Sequence, residues 1–242
     1  MEVPGRGAFH ASSPARRMRV ARAVGTVWLA ALGLLTLNGC PVPPRVSLAY
    51  GPRAYTEHDY ERIVDRWTRS THVLDWNGVE ERIRVDATYH SWDFRWALAV
   101  RQAHDQTLAP AGRDALLRDG QAVLEREHEF FVALYSEYVR WSQLHRNFTA
   151  WQVRLVDDQG REWEPSRIEF VRRVGASDRT YFPYVTPWRS VFRIHFPRRA
   201  PAPNGVEHDT LSPSTRWFAL RFRGPRGTAD LRWDLADGSA SP

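Results

Sequence analysis

The 242-residue chain contains no lysine, two methionines and a single cysteine, Cys40. One cysteine cannot build a disulfide framework, so packing and hydrogen bonds alone must hold the fold. Without lysine, all side-chain positive charge other than histidine rests on arginine, whose planar guanidinium pairs with carboxylates and stacks on aromatic faces. No stretch gathers that charge into a basic stripe able to neutralise several phosphates, which argues against nucleic acid as a partner. A Gly-x-Ser-x-Gly nucleophile elbow is missing, and with it the usual sequence mark of a serine hydrolase. Internal repeats are not apparent. The longest uncharged run extends from Ala23 to Pro44.

That run follows Arg16, Arg17, Arg19 and Arg22. A cationic lead, an uncharged segment from Ala23 to Leu37 and the small Gly39 before Cys40 match the three-part plan of a secretory signal. The rival reading is an uncleaved transmembrane anchor, but Asn38, Gly39, Pro41, Pro43 and Pro44 shorten the apolar helix below the ~20 residues that span a bilayer. Leu37-Asn38-Gly39-Cys40 resembles the lipobox of bacterial lipoproteins. The resemblance implies that residues 1–39 are a cleaved signal peptide and that Cys40 becomes the acylated N-terminus, bearing palmitate-type chains. It also implies a membrane-anchored protein of the cell envelope, facing the periplasm or the cell exterior. Pro41, in place of the aspartate associated with inner-membrane retention, points to the outer membrane. Met18 offers an alternative start that would make residues 1–17 a dispensable extension. Residues 1–39 carry five arginines and one glutamate, so their removal lowers the net charge from +6 to +2.

After Cys40, the Pro-rich stretch of residues 40–54 reads as a lipidated tether, and residues 55–242 as a single globular domain. Thr56 and Asp59 form a helix start, and Tyr60, Ile63, Val64 and Trp67 recur at helical spacing. Asn77-Gly78 is a turn, beyond which Ile83, Val85, Ala87 and Tyr89 alternate with polar residues as a half-buried strand. Helical spacing returns in Ser91–Ala103 and in Arg113–Glu127, so residues 91–127 read as a helical insertion between strands. Strands are expected at Phe130–Tyr135, Trp151–Leu155, Arg161–Val171, Ser190–Phe196, Trp217–Phe222 and Ala229–Leu235, with a hairpin at Asp157-Asp158-Gln159-Gly160. The pattern predicts a mainly β fold with a helical insertion. From about Phe130 to Leu235 it resembles the immunoglobulin-like antiparallel β-sandwich of bacterial envelope lipoproteins, here with two or three helices. That resemblance transfers no functional residue.

Candidate chemistry is sparse. Glu125, Glu127, His128 and Glu129, with His90 or His195 from neighbouring strands, offer metal-ligand types, but adjacent residues point in different directions and no metal site or cofactor is expected. Asp157 and Asp158 read as solvated turn formers. Tyr181, Phe182, Tyr184 and Trp188 lie in one loop with two prolines and form the candidate binding surface, either a contact for an envelope protein or glycan or a plug for one end of the sandwich. Trp92 and Trp96 share a helical face suited to packing on a sheet. The expected function is that of a noncatalytic binding or scaffolding module of the envelope. The alternative is an envelope hydrolase or wall-modifying enzyme whose site is assembled from distant residues, and it requires a histidine within reach of two carboxylates in a cleft.

Overall fold

The structure, a computed structural model, describes residues 43–75, 77–201 and 207–236. The signal peptide and the acylated Cys40 read from sequence lie outside these residues. Among the described residues no helix is long and apolar enough to cross a membrane.

Helix α1 (Tyr60–Trp67) starts where Asp59 accepts hydrogen bonds from the Thr56 backbone N–H at 2.9 Å and from Thr56 Oγ1 at 3.0 Å. The Thr56 N–H, then the Arg62 guanidinium and the Thr56 hydroxyl, hold the Asp59 carboxyl down at about 2. Tyr60, Ile63, Val64 and Trp67 are all buried, as their spacing predicts. Helix α2 (Trp92–Asp105) is capped by Ser91, which accepts from the Phe94 N–H. Helix α3 (Pro110–Leu124) begins three residues before the expected Arg113. Proline fits the first helical turn, where its missing N–H has no intrahelical partner. The helix also ends before Glu127, which opens the next strand.

The strands are β1 (Thr68–Leu74), β2 (Glu81–Tyr89), β3 (Glu127–Ser136), β4 (Gln152–Asp157), β5 (Glu162–Trp163) and β6 (Arg167–Phe170). After the short helix α4 (Ala176–Tyr181) come β7 (Ser190–Pro197), β8 (Arg199–Pro201), β9 (Glu207–Asp209), β10 (Trp217–Gly224) and β11 (Gly227–Asp234). They form a five-stranded sheet in the order β1-β2-β3-β7-β6, a four-stranded sheet in the order β11-β10-β4-β5 and a β8-β9 ribbon, all paired antiparallel. The expected mainly β architecture, an antiparallel sandwich with helices, is what the chain adopts.

The sheets pack through the apolar half of each alternating strand. Val85, Phe130, Val132 and Ile194 from the larger sheet meet Leu155, Phe218, Leu220 and Trp233 from the smaller, all fully buried. Tyr89 and Phe130 pack their rings on Phe218 at 5.1 and 6.4 Å, and Phe130 lies 5.6 Å from Trp233. On β4, Val153 and Leu155 face this core while Gln152 is exposed and Arg154 half-buried, in agreement with the alternation. Pro165 lies where the chain leaves β5 in one sheet and enters β6 in the other. Both strands are edges, which tolerate the missing N–H.

Four expectations are corrected. The sandwich begins at Thr68, not near Phe130, because β1 and β2 belong to the larger sheet and α2 and α3 are inserted between neighbouring strands β2 and β3. Strand β2 is buried on both faces in its second half: Asp86 pairs with Arg189 and Ser70, and Thr88 bonds to Tyr184, so the outer face is covered too. The described part of the tether is docked. Val46 is buried, its N–H donates to Asp234 O at 2.9 Å, and its carbonyl accepts from Ala236 N at 2.8 Å, so it bridges to Leu235 at the end of β11. Asp157 is a turn former but not solvated, since its fully buried carboxylate accepts from the Gln159 and Arg161 N–H groups and the Arg161 guanidinium. Gly160 supplies the positive φ of +75° that this hairpin requires.

Candidate binding surfaces

The aromatic loop divides into two consecutive turns. Val185 N donates to Phe182 O at 3.0 Å and Arg189 N donates to Thr186 O at 3.2 Å. Phe182–Val185 and Thr186–Arg189 are therefore four-residue turns with proline, Pro183 or Pro187, at the second position, which its fixed φ favours. The first turn is part of the core. Phe182 stacks on Phe131 at 3.9 Å and lies 5.8 Å from His90 with nearly parallel rings. Tyr184 donates to Phe131 O at 3.1 Å and shares a 2.7 Å hydrogen bond with Thr88, while burial pushes its phenol well above the ordinary value. Tyr181 is buried at the end of α4, where its carbonyl accepts from the Tyr60 hydroxyl. Of the four aromatics read as a binding surface, Phe182 and Tyr184 cover the outer face of the larger sheet and Tyr181 packs on Tyr60 of α1. Trp188 alone is displayed, 84% exposed.

Trp188 lines an open groove of about 650 Å³ with Tyr135, Val139 and Phe170. All four are exposed large apolar side chains, and Tyr138 adjoins them in sequence. Arg172 and Arg179 line the same groove and have no carboxylate partner among the described residues, while Arg189 is tied to Asp86 and Glu137 to Arg82. The groove mixes apolar and polar side chains and has a net positive rim. Sequence reasoning finds Trp188 but not its neighbours, because Tyr135 on β3 and Phe170 on β6 come together only through the pairing of both strands with β7, and Val139 follows β3 in the next turn.

The histidines and carboxylates take a different place. Glu127 and Glu129 lie two apart on β3 and share its outer face with His195 of β7. Glu129 accepts from Arg95 and, at 2.9 Å, from Arg193. Burial opposes its ionisation, but the contact with His90 and the charges of Arg95 and Arg193 outweigh that and hold the carboxyl far below the usual range. Burial lowers the His90 imidazole to about 4, leaving it neutral at pH 7. His195 Nδ1 is 2.9 Å from Glu127 Oε1 but outside hydrogen-bonding alignment, and its Nε2 is 3.9 Å from Glu169. Neither histidine lines any of the three clefts described here. Among the described residues no three His, Cys, Asp or Glu side chains gather as a metal site.

His128 points to the opposite face of β3 and lines a cleft of about 340 Å³ with Tyr50, Tyr89, Trp92 and Arg198. Its Nδ1 meets the Tyr89 hydroxyl at 2.8 Å and its Nε2 has no partner. Burial, then the Arg198 charge, lowers it to about 3. Among the described residues no carboxylate stands within ion-pair distance of His128, although Asp209 lines the same cleft.

Comparison with protein families, with curated proteins and with solved structures returns no match.

Proposed function

We propose that the protein is a lipid-anchored module of the bacterial cell envelope that acts by binding, held to the membrane through Cys40, and that its contact face is the groove displaying Trp188. The observation that carries this reading is that Trp188, Tyr135, Val139 and Phe170 line one groove beside two arginines that have no carboxylate partner among the described residues. Exposed apolar patches rimmed by polar groups mark interaction sites, and tryptophan and arginine dominate contact energetics. The partner fitting such a groove is a protein segment that carries carboxylates beside apolar side chains. The lipobox resemblance supports the anchor, and mass spectrometry of the purified protein is expected to show loss of everything before Cys40 with an acyl mass on it. An intact peptide containing Trp28 contradicts the anchor. A photo-crosslinking residue at position 188, introduced in the native envelope, is expected to capture one discrete protein, whereas the same residue at Arg223 on the other sheet captures none. Equal capture at both positions, or none at 188, contradicts the contact face.

A further inference from the structure

A second surface is built around the docked segment before α1, and its chemistry is different. Tyr50 and Trp92 stack at 6.0 Å with 28° between their planes, and Trp96 meets Trp92 edge-on at 5.5 Å. Trp92 is buried, Tyr50 and Trp96 present the accessible ring surface, and local contacts fix Tyr50 and Trp92. The Trp92 indole donates to Gly51 O at 2.6 Å, and Arg198 both donates to the Tyr50 hydroxyl at 2.8 Å and lies 5.6 Å over the Tyr50 ring. Two clefts share the Tyr50–Trp92 wall. One is the 340 Å³ cleft of His128, which also offers Ser47, Asp209, Ser212 and Thr215. The other, about 450 Å³, lies between the rings and α3, where Asp114, Arg118 and Gln121 line it beside Trp96. Those three residues are spaced by four and three along the helix and therefore share one face.

We propose that this aromatic ridge is a carbohydrate site that takes successive gluco-configured pyranose units of a β-linked glycan, one in each cleft. Equatorial hydroxyls leave the two faces of such a ring lined with C–H groups, which suit aromatic surfaces, and direct its polar groups outward to the fringe. The fringe here consists of planar amide, carboxylate and guanidinium groups on one side and hydroxyls on the other, matched to neutral donors and acceptors that recur along a chain. Asp114 and Arg118 supply opposite charges, and the lining mixes apolar rings with a few polar groups, as small-molecule sites do. Rings already fixed in place lose little freedom on binding. The site is independent of the Trp188 groove.

The test uses the full chain in a detergent without a sugar headgroup, titrated with chitotetraose and with cellotetraose while tryptophan emission and heat are followed. Saturable binding of at least one tetrasaccharide is expected. Trp96→Ala weakens it by about tenfold or more, as loss of a stacking ring does. Asp114→Ala and Arg118→Ala, exposed on α3 and away from the core, each weaken it severalfold without changing the melting temperature. Trp188→Ala leaves it unchanged, so failure here and failure of the contact face are told apart. Absence of saturable binding by both tetrasaccharides overturns the proposal. So does binding that survives Asp114→Ala and Arg118→Ala at parental strength, whatever Trp96→Ala does.

Discussion

Phe182–Val185 and Thr186–Arg189 are adjacent turns written in nearly the same chemistry, each with proline second and a large aromatic, Tyr184 or Trp188, third. Their fates are opposite. Tyr184 lies over the outer face of the larger sheet, bonded to Thr88 and Phe131, with Phe182 stacked beneath it on Phe131. Trp188 lies one turn further on, beside a groove, with its indole in solvent. Proline sets the turn in both cases, but the surface opposite the third residue decides whether its ring becomes core or contact. A cluster of aromatics in sequence is therefore two things at once, and substituting Tyr184 together with Trp188 confounds them.

The largest effect that separates the turns is on stability. Phe182→Ala is expected to cost about 3–5 kcal/mol in urea unfolding, the range for truncating a buried phenylalanine, while Trp188→Ala stays within about 0.5 kcal/mol of the parent. Similar losses in both variants remove the distinction.

A smaller effect comes from pH, because the first turn rests against His90. The folded imidazole titrates at about 4 instead of near 6.5, so the unfolded chain takes up the proton first as pH falls. Its contribution is complete above about pH 6.5 and is lost toward pH 4 at about 1.4 kcal/mol per unit. His128, lowered to about 3, adds a loss of the same sign over the same window. Glu129, whose carboxyl is held low, becomes destabilising only as pH falls below its unfolded value near 4. His90→Gln, if it folds, flattens the urea midpoint between pH 6.5 and 4. An unchanged slope in that variant assigns the pH dependence elsewhere.

What could be read from sequence follows the same division between local pattern and what lies opposite. The alternation on β4 identifies that strand and its inward residues, because one face meets the core and the other is more exposed, and β7, β10 and β11 lie where segments set between Pro- and Gly-containing loops predict strands. Strand β1 escaped notice: Thr68-Arg69-Ser70-Thr71-His72 is polar and follows α1 with no turn between them, so its place comes from pairing with β2. Residues 40–54 read as tether because proline and low periodicity signal extension, whereas one valine, Val46, bridging to Leu235 is enough to dock their described part. For the candidate site, Trp188 and the Trp92–Trp96 pair were visible as aromatics. Their partners were not, since Tyr50 and Asp114 reach Trp92 and Trp96 only through the docking of the N-terminal segment and the packing of α3 on α2.

The division of the aromatic loop is tested most directly by hydroxyl-radical footprinting of the folded full chain, with oxidation read residue by residue in the peptide that contains Tyr181 to Trp188. The structure predicts rapid oxidation at Trp188, close to its rate in urea, and strong protection at Phe182 and Tyr181, with Tyr184 between them. Comparable protection at Trp188 and Phe182, or rapid oxidation of both, contradicts the assignment of one turn to the core and the other to the surface.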